Sequence, residues 1–257
     1  GQENCKPVHT PLDSNQKLVK NGGVLLEEDY IYRRLIGKLN YLAVWTRPDI
    51  AFSVSQLSRF LSCPETMHWK AAKRVVRYLA TTIDLKLVYK AENLNIHGYS
   101  DADWAGCTDT RRSTSGYVVF LGDCLVSWKS KTQPTVALSS MEAEFYGLSL
   151  LVQELLWIEE FSNELDIPSS VTIHEDNQAC ISFARNSNYH GRAKHVSIRY
   201  NFVKDYVNRE TINLIYCASE LMKADLFTKA LALKKFEEFR NLIGFQETWR
   251  SIEYRKV

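Results

Sequence analysis

The 257-residue chain reads as an α/β protein: a mixed sheet flanked by helices, preceded by a smaller helical segment. Three features of the sequence carry that reading. Apolar residues recur at helical spacing from Asp29 to Leu79, and the pattern turns to alternation around Asp84–Glu92. Strand-like runs then come first as a hairpin and later interleaved with amphipathic stretches.

Residues 1–28 combine Pro7, Pro11, Asn21, Gly22 and Gly23 with charged side chains, which predicts an extended lead-in with little packing and little function. Ile31, Leu35, Leu39 and Leu42 then share one helical face. A second helix starts at Thr46-Arg47-Pro48, where proline suits a first turn, and carries Ile50, Val54, Leu57 and Leu61. The third, Thr66 to Leu79, presents Lys70, Lys73, Arg74 and Arg77 at i, i+3, i+4 and i+7 beside Trp69, Val76 and Leu79. Such a stripe can track a phosphate backbone and can equally be a solvated face; spacing alone does not choose.

The change of pattern sets a boundary near residue 90, so that 29–90 reads as one unit and 91–235 as the next. Strands are expected at Ile96–Ser100, Ser115–Leu121, Cys124–Lys129 and Thr135–Leu138, the middle pair turning at Gly122-Asp123. A long helix fits Ser140–Leu165. A strand at Val171–His174, helices from Asn177 and over Ala193–Asn208, a strand at Ile212–Cys217 and a helix at Glu220–Leu231 complete the unit. Residues 236–257 read as a tail.

Lysine and arginine total 32 against 30 acids, a net charge of +2, so any attraction to nucleic acid must come from local clusters. Such clusters exist around Arg111 and Arg112 and around Arg192, Lys194, Arg199 and Lys204. The six cysteines form no Cys-x-x-Cys pair and no zinc spacing, and read as reduced, mostly buried thiols of an intracellular protein. No run approaches the roughly 18 apolar residues of a membrane span, and residues 1–9 lack a signal-peptide core. The chain opens on Gly1, which reads as a piece of something longer.

Four acids stand out. Asp101 follows the strand Ile96–Ser100 and Asp176 follows Val171–Glu175, both at strand carboxyl ends, the edge at which open α/β sheets bind ligands. Glu144 and Asp225 fall in the first turns of their helices. Converging there, the four would repel unless cations neutralised them, and hard oxygen donors suit Mg²⁺ or Mn²⁺. Two such ions can activate water for phosphodiester hydrolysis. Asp103 and Glu142 are neighbouring competitors, and local sequence does not separate Glu142 from Glu144.

The words around these acids resemble copia-type LTR retrotransposon Pol proteins over nearly the whole chain. Tyr99-Ser100-Asp101-Ala102-Asp103-Trp104-Ala105-Gly106, Arg112-Ser113-Thr114-Ser115-Gly116-Tyr117, Ser139-Ser140-Met141-Glu142-Ala143-Glu144-Phe145, Glu175-Asp176-Asn177-Gln178-Ala179, Arg192-Ala193-Lys194-His195-Val196 and Ala224-Asp225-Leu226-Phe227-Thr228-Lys229 are similar to that family's ribonuclease H region, in order. Arg34–Leu42, Thr46–Ala51 and Trp69–Leu79 resemble the thumb or connection segment that follows a reverse-transcriptase palm.

The resemblance implies a ribonuclease H-like five-stranded mixed sheet, cleavage of the RNA strand of RNA–DNA hybrids, and two divalent ions, Mg²⁺ or Mn²⁺, held by Asp101, Glu144, Asp176 and Asp225. It selects Glu144 over Glu142. It implies hybrid contacts from Lys70, Lys73, Arg74, Arg77, Arg112, Gln178, Arg192, Lys194 and His195, and as partner the palm and fingers upstream in the same polyprotein, with no membrane. The implied location is the cytoplasm, in a virus-like particle, or the nucleus. The alternative is a non-catalytic nucleic-acid-binding or assembly module, a degenerate or domesticated copy. Three departures bear on this. Tyr-x-Asp-Asp is absent, Cys217–Ala224 holds no histidine, and Asn201, Ala230 and Thr81 replace residues usual in relatives.

Overall fold

The computed structural model describes residues 5–90, 93–167, 170–185 and 194–247, with side chains of 194–197 left aside. Helices α1 (Asp29–Trp45), α2 (Ala51–Ser58) and α3 (Thr66–Thr81) come first. Helix α1 fully buries Tyr32, Ile36, Leu39 and Ala43, a face turned one residue on from Ile31, Leu35, Leu39 and Leu42, of which Leu35 and Leu42 pack half-buried against the same core. Pro48 opens a short 3-10 turn ahead of α2, where its missing N–H costs nothing.

Strands β1 (Leu85–Leu87), β2 (Ile96–Asp103), β3 (Thr114–Leu121) and β4 (Cys124–Thr132) follow, then α4 (Ser140–Glu164), β5 (Val171–Glu175), α5 (Gln178–Arg185), α6 (Lys194–Asn208) and β6 (Ile212–Tyr216). The five-stranded sheet has the order β4-β3-β2-β5-β6. Its hairpin strands β2, β3 and β4 pair antiparallel, while β2–β5 and β5–β6 are parallel and joined through helices, so the sheet is mixed as expected.

Alternation along the strands divides their side chains between two cores. Ile96, Tyr117, Val119, Ile173 and Leu214 pack with α4, α5 and α6. Tyr99, Val118, Phe120 and Leu125 pack on the opposite side with residues of α1, α2, α3 and the carboxyl-terminal segment. The helical amino-terminal segment therefore covers one sheet face, and packing crosses the pattern change near residue 90.

Several expectations need correction. Thr135–Leu138 is not a strand: Pro134 offers no N–H, and the Leu138 N–H goes to the Glu142 carboxylate at 2.8 Å as part of the start of α4. Glu220–Leu231 is not an α-helix but two short 3-10 turns, Ser219–Leu221 and Lys223–Phe227. The segment bends to bury Ala224, Asp225, Leu226 and Phe227 together, which one helical face cannot do. The region read as a tail holds α7 (Leu233–Leu242) and β7 (Phe245–Glu247), the latter paired antiparallel with β1. The lead-in is extended yet packed, with Leu12 and Leu18 buried and its backbone held by arginines of α3.

Candidate metal centre

Strand β2 runs three residues further than its apolar pattern, so Asp101 lies within it, 1% exposed, paired across the ladder with Gly116 of β3. Asp176 immediately follows β5. Glu144 lies one turn into α4, whose start is set by Ser139: its hydroxyl accepts from the Glu142 N–H at 3.1 Å. Close contact of α4 with the sheet depends on Gly98, where a Cβ would stand 2.7 Å from Leu151 Cδ1.

This packing brings one carboxylate oxygen each of Asp101, Glu144 and Asp176 within 4.8 Å of one another. Glu142 is not among them. Asp225, buried in the second 3-10 turn, lies beside the cluster and not in it. Its Oδ1 accepts from Lys229 Nζ at 2.9 Å and its Oδ2 from Lys235 Nζ at 2.8 Å. Lys229 Nζ also reaches Asp101 at 3.3 Å, and the Thr228 hydroxyl donates to Asp101 Oδ2.

The electrostatics follow from burial of like charges. Burial pushes the Asp101 carboxyl up to about 6, opposed by Lys229 and assisted by Asp225. Glu144 goes up to about 11, through burial first and then Asp101, Glu175 and Asp176. Its Oε2 is buried with no hydrogen-bond partner among the described residues. Burial pulls the Lys229 ammonium down, but Asp101 and Asp225 outweigh it and the net shift is upward. Three converging hard oxygens, one from a carboxylate whose Oε2 lacks a partner among the described residues, fit a divalent cation, which would supply the charge the cluster lacks.

Sequence reasoning missed four contributors. Glu175 is wholly buried, accepts from Ser100 Oγ at 2.8 Å, and is held well above the usual carboxylate range by burial. Ser219 Oγ donates to Asp176 Oδ2 at 2.8 Å. Thr228 and Lys229 belong to the motif around Asp225, but nothing in a linear pattern aims them at Asp101.

The predicted nucleic-acid residues have diverse placements. Lys70, Arg112 and Gln178 are exposed. Lys73 lies over the Trp69 ring at 5.6 Å. Arg74 binds Thr10, through the carbonyl at 3.2 Å and the hydroxyl at 2.9 Å, and Arg77 binds the Lys6 carbonyl, so these two hold the lead-in. Asn177, beside Gln178, caps α5 by accepting from the Cys180 N–H at 3.0 Å. Arg192 and the side chains of Lys194 and His195 lie outside the described residues.

No protein-family model matches the chain. It is 40% identical over 243 residues to the retrovirus-related Pol polyprotein from transposon RE2 of Arabidopsis thaliana, covering 93% of this chain and 17% of that protein. To the corresponding polyprotein from transposon TNT 1-94 of Nicotiana tabacum it is 36% identical over 249 residues, covering 94% of this chain and 19% of that protein. The chain thus spans less than a fifth of the length of these curated relatives. Among solved structures, LC11-RNase H1, isolated from compost, superposes with a TM-score of 0.41 at 14% identity, covering 52% of this chain and 93% of that one.

Proposed function

The chain belongs to the retrovirus-related Pol polyproteins of transposons, and from that premise we propose that it carries a metal-dependent ribonuclease H acting on the RNA strand of RNA–DNA hybrids. The observation that supports this most is the convergence of Asp101, Glu144 and Asp176, from a strand, a helix and a strand end distant in sequence, within 4.8 Å. Holding three acids together, two of them buried, destabilises a fold unless their oxygens are used.

In this reading Asp101, Glu144 and Asp176 would hold a divalent ion, and Asp225 beside Asp101 would help to hold a second, Mg²⁺ or Mn²⁺. Bound ions of this kind activate water and stabilise the leaving oxygen in phosphodiester hydrolysis. The chain's own groups set the geometry: Thr228 orients the Asp101 carboxylate, Ser219 that of Asp176, and Ser100 keeps Glu175 turned into the core. Lys70, Lys73, Arg112 and Gln178, with Arg192, Lys194 and His195, would contact the hybrid through phosphates and 2′-hydroxyls, with little base readout. The palm and fingers of the polyprotein are the partner upstream.

Mg²⁺-dependent cleavage of a labelled hybrid is the test. Cleavage should be lost with Asp101→Asn and with Asp176→Asn, and activity surviving both substitutions would sink the reading. A second reading, a binding module without catalysis, is favoured by one contact: Lys229 already neutralises Asp101 and Asp225. It predicts salt-sensitive hybrid binding with no metal-dependent cutting.

A further inference from the structure

Lys229 has a place in the centre that the cation-holding reading does not use. Its ammonium lies 2.9 Å from Asp225 Oδ1 and 3.3 Å from each Asp101 oxygen, while Lys235 takes the remaining Asp225 oxygen at 2.8 Å. Its position is set by the fold. Thr228, the preceding residue, is tied to Asp101, and the turn before it rests on Gly116, where a Cβ would meet Phe227 Cβ at 2.7 Å and Thr228 Cγ2 at 2.8 Å. The two sides of the centre therefore differ. Glu144 Oε2 has no hydrogen-bond partner among the described residues, whereas Asp101 Oδ1 and Asp225 Oδ1 are both engaged by one ammonium group.

We propose that Lys229 is an internal competitor for the second divalent cation: the ammonium and an ion bridging Asp101 and Asp225 require the same oxygens and exclude each other. Two cations cannot share acceptors at these distances without strong repulsion. Lys229 has room to leave. Its side chain is 38% exposed and lines a cleft of about 470 Å³ whose wall also carries Lys17, Asp103, Trp104 and Arg111. Loading of the Asp101–Asp225 edge then accompanies withdrawal of Lys229 toward that cleft, and the site fills in two steps of unequal affinity. This inference rests on the metal-binding reading above.

Mn²⁺ titration of the 257-residue chain without nucleic acid, followed by electron paramagnetic resonance and calorimetry, tests it. The parent chain should show one stronger and one weaker class of sites. Lys229→Met should tighten the weaker class at least tenfold, about 1.4 kcal/mol. It should also enlarge the Mn²⁺-induced rise in melting temperature, because Asp101 and Asp225 lose the ammonium they share and keep only Thr228 and Lys235 as partners. Lys229→Gln, which keeps a hydrogen-bond donor without the charge, should behave like Lys229→Met, and Lys229→Arg like the parent. A weaker class unchanged or weakened in both neutral variants overturns the competition. Absence of Mn²⁺ binding in the parent, or a stronger class indifferent to Glu144→Gln, overturns the underlying metal reading instead.

Discussion

Glu144 sits among three other acids with one oxygen unpartnered among the described residues, an arrangement that costs stability unless a cation is present. Glu144→Gln should therefore raise the melting temperature in chelator-treated buffer by a few degrees, since about 1 kcal/mol moves a chain of this size by roughly 2–4 °C. The same change should abolish the stabilisation that Mg²⁺ gives the parent. Differential scanning calorimetry with and without the ion reads both effects, and a destabilised, ion-responsive variant would contradict them. His68 makes a different residue-scale argument. Its Nδ1 accepts from the Glu65 N–H at 3.0 Å and its Nε2 faces the Val19 carbonyl at 3.0 Å, so the neutral ring pins the lead-in to α3. Burial lowers its pKa; the Val19 carbonyl, Glu65 and Asp109 oppose this, and Arg59 adds to it. Because the folded value lies below the unfolded one, about 6.5, the ring contributes no pH dependence above that pH. As pH falls through it, the unfolded chain takes up a proton that the folded chain refuses. Stability should drop by up to about 1.4 kcal/mol per pH unit there, and denaturant melts of His68→Gln should show a shallower slope.

Two elements carry consequences of their own. The turn Lys223–Phe227 holds Asp225 in place only because Gly116 leaves room on β3. Gly116→Ala should cost about 1–3 kcal/mol and shift Asp225, Thr228 and Lys229 as a unit, so that the weaker Mn²⁺ class suffers more than the stronger. Equal loss in both classes would count against the turn as a separate support. On α3 the basic stripe divides by function. Arg74 and Arg77 spend their guanidinium groups on the lead-in, while Lys70 is exposed. If the stripe follows phosphates, Lys70→Glu should weaken hybrid binding and reduce the salt slope by about 1. Arg74→Ala should instead raise protease sensitivity in residues 7–24, and a reversed pattern would reassign the two positions. The segment Thr135–Leu138 and the stretch Glu220–Leu231 were misread for a shared reason: short apolar runs suit strand, helix or irregular turn alike, and only their neighbours decide.

The whole molecule is unified by the core between the sheet and α1, α2, α3 and α7. Trp128 of β4 donates from its indole to the Ala43 carbonyl of α1 at 2.7 Å, joining sheet to helix directly. Removing residues 1–90 would strip cover from Tyr99, Val118, Phe120, Leu125 and Phe227. At roughly 1.5–3 kcal/mol per large buried side chain, exposing all five costs about 7–15 kcal/mol, as much as a typical whole-domain margin of about 5–15 kcal/mol. A fragment of residues 91–257 should therefore bind hydrophobic dyes and lack a cooperative transition, while the full chain unfolds in one. A cooperative, dye-silent fragment would show that the boundary in pattern is also a boundary in folding.

The order of α1 to α6 and of β2 to β6 and the acids near the sheet edge were legible in the sequence, because periodicity follows from the backbone and a carboxylate announces itself by type. Asp101 and Asp176 stood out through their position after apolar strands together with the family words around them, and Glu144 was separated from Glu142 by its resemblance to a known motif. Tertiary structure decided the rest: that Lys229 and Lys235 take both oxygens of Asp225, that Glu175 is buried against Ser100, and that the lead-in is clamped by α3. Ser100 and Glu175 are 75 positions apart, Thr10 and Arg74 are 64 apart, and Lys229, while on Asp225, also reaches Asp101 across 128 positions; no local pattern encodes which distant side chains a folded sheet will bring face to face.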